Sequence, residues 1–160
     1  MGADGSGRSA VDGHGADEVA IRRLLDRQIR SWDDGDPVSY ADVYTHDGDC
    51  VSFLGILYRG RQAIAASGEV PRTGSMFKRL LRGARLQVEI TDMRFVTPDL
   101  AIVHAICGAS RKARLSGRNV RTNTSVAVRT ADGWRLTASQ NTTRRPAAER
   151  FTRWAILAQK

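Results

Sequence analysis

The sequence predicts an α+β protein in which a cone-shaped, curved antiparallel sheet wraps around N-terminal helices. Three observations predict it. Apolar residues recur at helical spacing between Asp17 and Tyr44. A short strand pair follows, over residues 50–54 and 56–58. Residues 86–142 then read as a meander of four long strands joined by turn signals. A sheet that coils around a helix encloses a concave space, the usual place for a small-molecule site.

Each element has its own justification. Residues 1–15 hold five glycines and little apolar surface, so they are expected to form a disordered leader. From Asp17, Val19, Leu24, Leu25, Ile29 and Trp32 mark one helical face. Asp17 suits the N-cap. Asp34-Gly35-Asp36-Pro37 ends the helix, and Pro37 opens a second, short one carrying Tyr40, Val43 and Tyr44. Asp47-Gly48 reads as a turn before the strand pair, which Gly55 divides. A third helical segment covers residues 61–66, is interrupted at Gly68, Pro71 and Gly74, and resumes at 76–81.

Beyond Gly83 the period becomes two. Leu86, Val88 and Ile90 alternate with polar residues, and Pro98-Asp99 turns the chain. Residues 100–107 form an apolar strand running on toward 113, and residues 116–119 make the next turn. Residues 120–130 and 134–142 flank Asp132-Gly133, a strong hairpin signal. Pro146 starts a helical tail with Phe151, Trp154, Leu157 and Ala158 on one face. The expected organisation is a leader (1–15), one cone-fold domain (16–145) and a C-terminal tail (146–160).

Composition narrows the function classes. With 160 residues and 41% apolar content, one domain with a real core is expected. No apolar run approaches the ~20 residues of a membrane span. No secretory signal is visible, so a cytoplasmic location is expected. Cys50 and Cys107 are isolated and the three histidines dispersed, so neither a disulfide framework nor a metal set is expected. The net charge of +8 divides unevenly. Residues 1–50 carry 5 basic and 11 acidic groups, net −6; the remainder carries net +14. Basic runs at 78–85 and 111–121 suit docking of an acidic protein partner. Nucleic-acid binding is a remote reading, because no recognised motif accompanies them.

The order of motifs resembles the nuclear-transport-factor-2-like superfamily, the cone fold of ketosteroid isomerase, SnoaL-like cyclases and scytalone dehydratase. The residues that carry the resemblance are Trp32-Asp33-Asp34-Gly35-Asp36, Tyr40, Tyr44, the segment from Asp47 to Phe53, Gly55, the segment from Tyr58 to Ile64, and the hairpin from Arg129 to Leu136. The whole chain is similar to the SgcJ/EcaC subgroup, including small enediyne-biosynthesis proteins of actinomycetes. The resemblance implies a pocket protein of secondary metabolism. It would bind or act on a polyketide or polyene (enediyne-type) intermediate, by cofactor-free acid–base chemistry. The alternative is a non-catalytic accessory protein that binds an intermediate or docks on a synthase. The resemblance also implies a homodimer formed through the sheet.

Laid on this chain, the ketosteroid isomerase pattern puts its general base at Ser52, its tyrosine donor at Gln28 and its second donor near Asn123. Serine at its ordinary pKa cannot take a carbon-bound proton, so that base is missing. His104, within the apolar strand, is the candidate acid–base residue if it faces the cavity. Trp32, Tyr40, Tyr44 and Tyr58 are candidates to line the pocket and stack on a flat ligand. One of Gln140 and Asn141 must face inward by alternation; Gln140 is taken as the ligand contact. No cofactor signature is present.

Overall fold

The computed structural model describes residues 14–73, 82–112, 115 and 120–157. Helix α1 (Gly15–Asp34) buries Ile21, Leu24, Leu25 and Gln28. That face is the one expected from the spacing. The helix begins earlier than expected, with His14 rather than Asp17 at the N-cap, and no side chain caps it. Asp17 is instead committed to the sheet: it accepts from Trp134 Nε1 at 3.1 Å and pairs with Arg129 at 2.7 Å. Gly35 ends α1 at φ 79°, a left-handed position that glycine takes without strain. Asp36 then caps α2 (Pro37–Asp42), accepting from the backbone N–H groups of Val38 and Ser39.

Strand β1 (Tyr44–Val51) starts before Asp47-Gly48 and runs through it. The expected turn is a shift of strand register. A Cβ on Gly48 would lie 3.2 Å from the Leu136 carbonyl oxygen, so the strand passes close to its neighbour there. β2 (Leu57–Arg59) folds back antiparallel on β1. Helix α3 (Gly60–Thr73) continues through Gly68 instead of breaking. Gly68 serves close approach: a Cβ there would come within 2.9 Å of Pro37 Cβ. The helical turn expected at 76–81 lies outside the described residues.

Strands β3 (Arg85–Thr97), β4 (Leu100–Ser110), β5 (Arg121–Thr130) and β6 (Gly133–Thr143) form the expected antiparallel meander. The sheet order is β2-β1-β6-β5-β4-β3. The β1–β6 pair is parallel, so the six-stranded sheet is mixed rather than wholly antiparallel. The cause is connectivity: β1 and β6 are far apart in sequence and need no hairpin.

Helix α1 lies against β3 and β6. The core between helix and sheet joins Ile21, Leu24 and Leu25 to Tyr44, Ala101, Val103, Ala127, Trp134 and Leu136. Phe95 closes this end, edge-on to Trp134 and stacked on the His14 ring. Helix α4 (Pro146–Leu157) comes after β6, and Phe151, Trp154, Ile156 and Leu157 on it are all exposed. Among the described residues, no helix is long and apolar enough to cross a membrane.

Candidate functional site

Alternation decides which side chains of the sheet face the helix. On β4 the buried set is Ala101, Val103, Ala105 and Cys107. Their partners on β5 are Ala127, Ser125, Asn123 and Arg121. On β6, Trp134 and Leu136 are buried, but the register then shifts: Ala127 opposes Leu136 while Val126 opposes Ala138. Thr137 is the extra residue of a β-bulge, which reverses the parity of the remainder of the strand. Ser139, Asn141 and Thr143 therefore face inward, opposite Ser125, Asn123 and Arg121.

The result is a polar stripe on the concave face, laid as three rungs across β5 and β6. At its inner end, the Tyr44 hydroxyl lies 2.7 Å from Ser139 Oγ and accepts from Gln28 Nε2 at 3.2 Å. Next, Ser125 Oγ donates to Asn123 Oδ1 at 2.7 Å, and Asn123 Nδ2 donates to Asn141 Oδ1 at 3.1 Å. Cys107 Sγ donates to the same Asn141 oxygen at 3.4 Å. The outer rung holds Arg121, whose guanidinium carbon stands 3.9 Å over the centre of the Phe53 ring. Burial eases along the stripe, from Tyr44 at 1% exposed to half-buried Asn123, Asn141 and Arg121. The outer end is the one open to solvent.

The electrostatics favour neutral groups. Burial pushes the Tyr44 phenol well above its ordinary value, with help from neighbouring Tyr40 and Cys50. Tyr40 is raised in the same way, mainly by burial. Burial also raises the Cys107 thiol, against the pull of the Arg121 charge. The two tyrosines and the thiol therefore stay protonated at neutral pH and act as hydrogen-bond donors. The stripe contains no carboxylate and no imidazole among the described residues. No group of described residues could hold a metal ion.

The structure brings together Gln28, Tyr40, Tyr44 and Asn123. Trp32 is half-buried one turn beyond Gln28 on α1, and Tyr58 is half-buried against the core. Three other residues stand elsewhere. His104 is on the outer face of β4, where Nδ1 lies 3.1 Å from Thr124 Oγ1, because the inward set of that strand is odd-numbered. Gln140 is exposed on the outer face, because the bulge at Thr137 hands the inward position to Asn141. Ser52 Oγ accepts from the Leu54 and Ile56 N–H groups, so it braces the β1–β2 turn. Alternation offered Asn141 as the alternative to Gln140, and Gln140 was chosen; Cys107 and Arg121 were not singled out as site residues. The small polar residues on two facing strands were the available signal.

A second concave feature lies outside the cone. It is a groove of about 360 Å³ between α1 and α2, lined by Arg27, Arg30, Asp34, Asp36 and Asp42 among others. Its lining is charged on both sides, and Asp42 is paired with Arg61 at 2.8 Å.

No protein-family model matches the sequence, and no curated protein matches it. Solved structures do match. A domain of unknown function with a cystatin-like fold from Nostoc punctiforme is 25% identical, with a TM-score of 0.71. That alignment covers 86% of this chain and 83% of the other. A protein from Novosphingobium aromaticivorans, provisionally named a scytalone dehydratase, is 17% identical with a TM-score of 0.68, over 84% of this chain and 89% of its own. A nuclear-transport-factor-2-like protein of unknown function from Shewanella oneidensis is 18% identical with a TM-score of 0.62, over 78% of this chain and 98% of its own. The helices laid on a curved six-stranded sheet, together with these likenesses, give the chain the nuclear-transport-factor-2-like, cystatin-like fold.

Proposed function

We propose that this chain is a small-molecule binding protein whose ligand lies along the polar stripe of β5 and β6. The observation that carries the reading is the stripe itself. Hydroxyls, amides and a thiol line one concave face, graded from a buried inner end at Tyr44 and Ser139 to a half-buried outer end. Tyr40, Tyr58 and Phe53 flank it with aromatic surface suited to a flat, unsaturated molecule. The polyketide or polyene (enediyne-type) intermediate implied by the family resemblance fits that description and belongs to the same reading. The lining offers hydrogen bonds rather than proton transfer, because a neutral phenol, hydroxyl or amide is a poor base near pH 7. The reading is therefore of a binding or shielding protein of secondary metabolism, not of an acid–base enzyme.

We further propose that a second copy packs on the outer face of the sheet. There Ile102, Ile106, Val126 and Val128 form an apolar centre. Glu89, Asp92 and Arg94 stand on β3 at one side, net acidic, and Arg135 on β6 at the other, so an inverted copy would set charges of opposite sign against each other.

Titration with N-phenylnaphthylamine, a neutral fluorescent aromatic, tests the pocket. Saturable binding is expected, and Asn141→Phe, which fills the stripe, is expected to weaken it at least about tenfold while the circular dichroism stays unchanged. Absence of binding, or binding indifferent to Asn141→Phe, would sink the reading.

A further inference from the structure

Helix α4 carries apolar surface that the fold does not bury. Ala147, Phe151 and Trp154 stand at i, i+4 and i+7, so they share one helical face. Phe151 is 68% exposed and Trp154 66%, with their ring centres 6.0 Å apart. Basic residues border that face. Arg150 lies one turn before Trp154, and Arg153 one turn before Leu157, which is also exposed. From residue 144 to 157 the chain holds Arg144, Arg145, Arg150 and Arg153 against one acid, Glu149. Arg144 is paired with Glu149, while Arg145, Arg150 and Arg153 are exposed.

A second apolar point stands at the same end of the sheet. Strands β1 and β6 run parallel, with Val51 opposite Gln140, so the turn after β1 and the start of α4 leave the sheet together. That turn is tight. Ser52 N–H donates to the Ile56 carbonyl, Gly55 N–H donates to the Ser52 carbonyl, and Gly55 takes φ 82°. It presents Leu54, 65% exposed, and the half-exposed Ile56, with no charge between Ser52 and Tyr58. Exposed Arg59 follows on β2.

We propose that this end of the molecule docks on an anionic lipid surface, with α4 lying flat in the interface and Leu54 as a second point of entry. A 12-residue helix is about 18 Å long, too short to span a bilayer but long enough to lie along one. Aromatic and aliphatic side chains on one face, bordered by arginines, suit the boundary between acyl chains and acidic head groups. A fluid surface also takes two separate apolar points without a matching shape. A second copy is a poorer occupant. An isologous contact centred on Phe151 and Trp154 would bring the Arg150 and Arg153 side chains of both copies together, like charge on like. The outer end of the polar stripe lies at this end too, since Asn141 and Thr143 follow Gln140. An apolar ligand dissolved in the bilayer would meet it there. That consequence rests on the binding reading above; the lipid contact itself does not.

Co-sedimentation of the full chain with vesicles tests the proposal. One set is phosphatidylcholine alone, and the other is phosphatidylcholine mixed with phosphatidylglycerol. The mixed vesicles are expected to bind at least about tenfold more tightly, and high salt to erase most of the difference. Trp154→Glu and Arg150→Glu are each expected to weaken that binding at least about tenfold, and Leu54→Glu to weaken it as well. Trp154→Phe keeps the apolar face and is expected to keep most of the affinity. These side chains are exposed, so circular dichroism should be unchanged in every variant. No sedimentation with either vesicle, or equal sedimentation with both, would overturn the proposal. So would binding to the mixed vesicles that survives both Trp154→Glu and Arg150→Glu, because the contact would then lie on another basic surface. Conversion of a wild-type dimer to a monomer by Trp154→Glu, without vesicles, would give the helix to a second copy and overturn it too. None of these results touches the N-phenylnaphthylamine titration, which is made without lipid, so the binding reading stands or falls separately.

Discussion

The Tyr44 hydroxyl joins Gln28 on α1 to Ser139 on β6, so one phenol ties the helix to the sheet inside the core. Tyr44→Phe leaves the amide and the serine without that partner in a buried place. It is expected to cost about 1–2 kcal/mol in urea unfolding. The phenol also sets a pH dependence. Its pKa in the folded chain lies above the ordinary value of 10.0 that the unfolded chain recovers. The neutral form is thus favoured by folding. Its contribution is complete below the unfolded value and is lost as pH rises through the folded one. Stability of the wild type is expected to fall steeply above about pH 10, and less steeply in Tyr44→Phe. Tyr40 is raised in the same sense and leaves a residual slope in the variant.

At the scale of elements, α2 and α3 touch through Gly68 and Pro37. Gly68→Ala would gain up to ~1 kcal/mol of helix propensity. It would also force a Cβ to within 2.9 Å of a rigid proline ring. Overpacking of that kind costs about 1–3 kcal/mol, so the net effect expected in thermal melts is destabilisation. Sequence reading found most of the elements because their signals are local. Asp132-Gly133 makes its hairpin, with Gly133 at φ 97°, and Gly35 ends α1. What it missed depends on neighbours. The parallel β1–β6 contact has no sequence signature. The bulge at Thr137 swapped Gln140 for Asn141, because its position is set by the register with β5 rather than by any turn residue. Strand β4 is apolar on both faces, so nothing in it says that His104 points outward; Ala, Val and Cys take the crowded inner side and Ile the outer. Gln28 and Asn123 were legible as candidates through the resemblance to the ketosteroid isomerase pattern, and Tyr44 as one of the aromatic residues of the front half.

For the whole molecule, the division of charge and the two faces of the sheet carry the account. The concave face holds the stripe, and the outer face holds the apolar centre on which we propose a second copy packs. Sedimentation at micromolar concentration is expected to give a dimer, and Ile106→Lys on that face a monomer. A wild-type monomer would contradict the pairing. The exposed Phe151 and Trp154 of α4 offer a rival place for any aromatic probe. Fluorescence alone does not separate the two, but backbone amide chemical shifts do. Adding N-phenylnaphthylamine to isotope-labelled protein is expected to move the amides of Asn123, Ser125, Ser139 and Asn141. Those of residues 147–157 should stay in place. Shifts confined to α4, with the β5 and β6 stripe unmoved, would contradict the central claim that the concave polar stripe is the binding site.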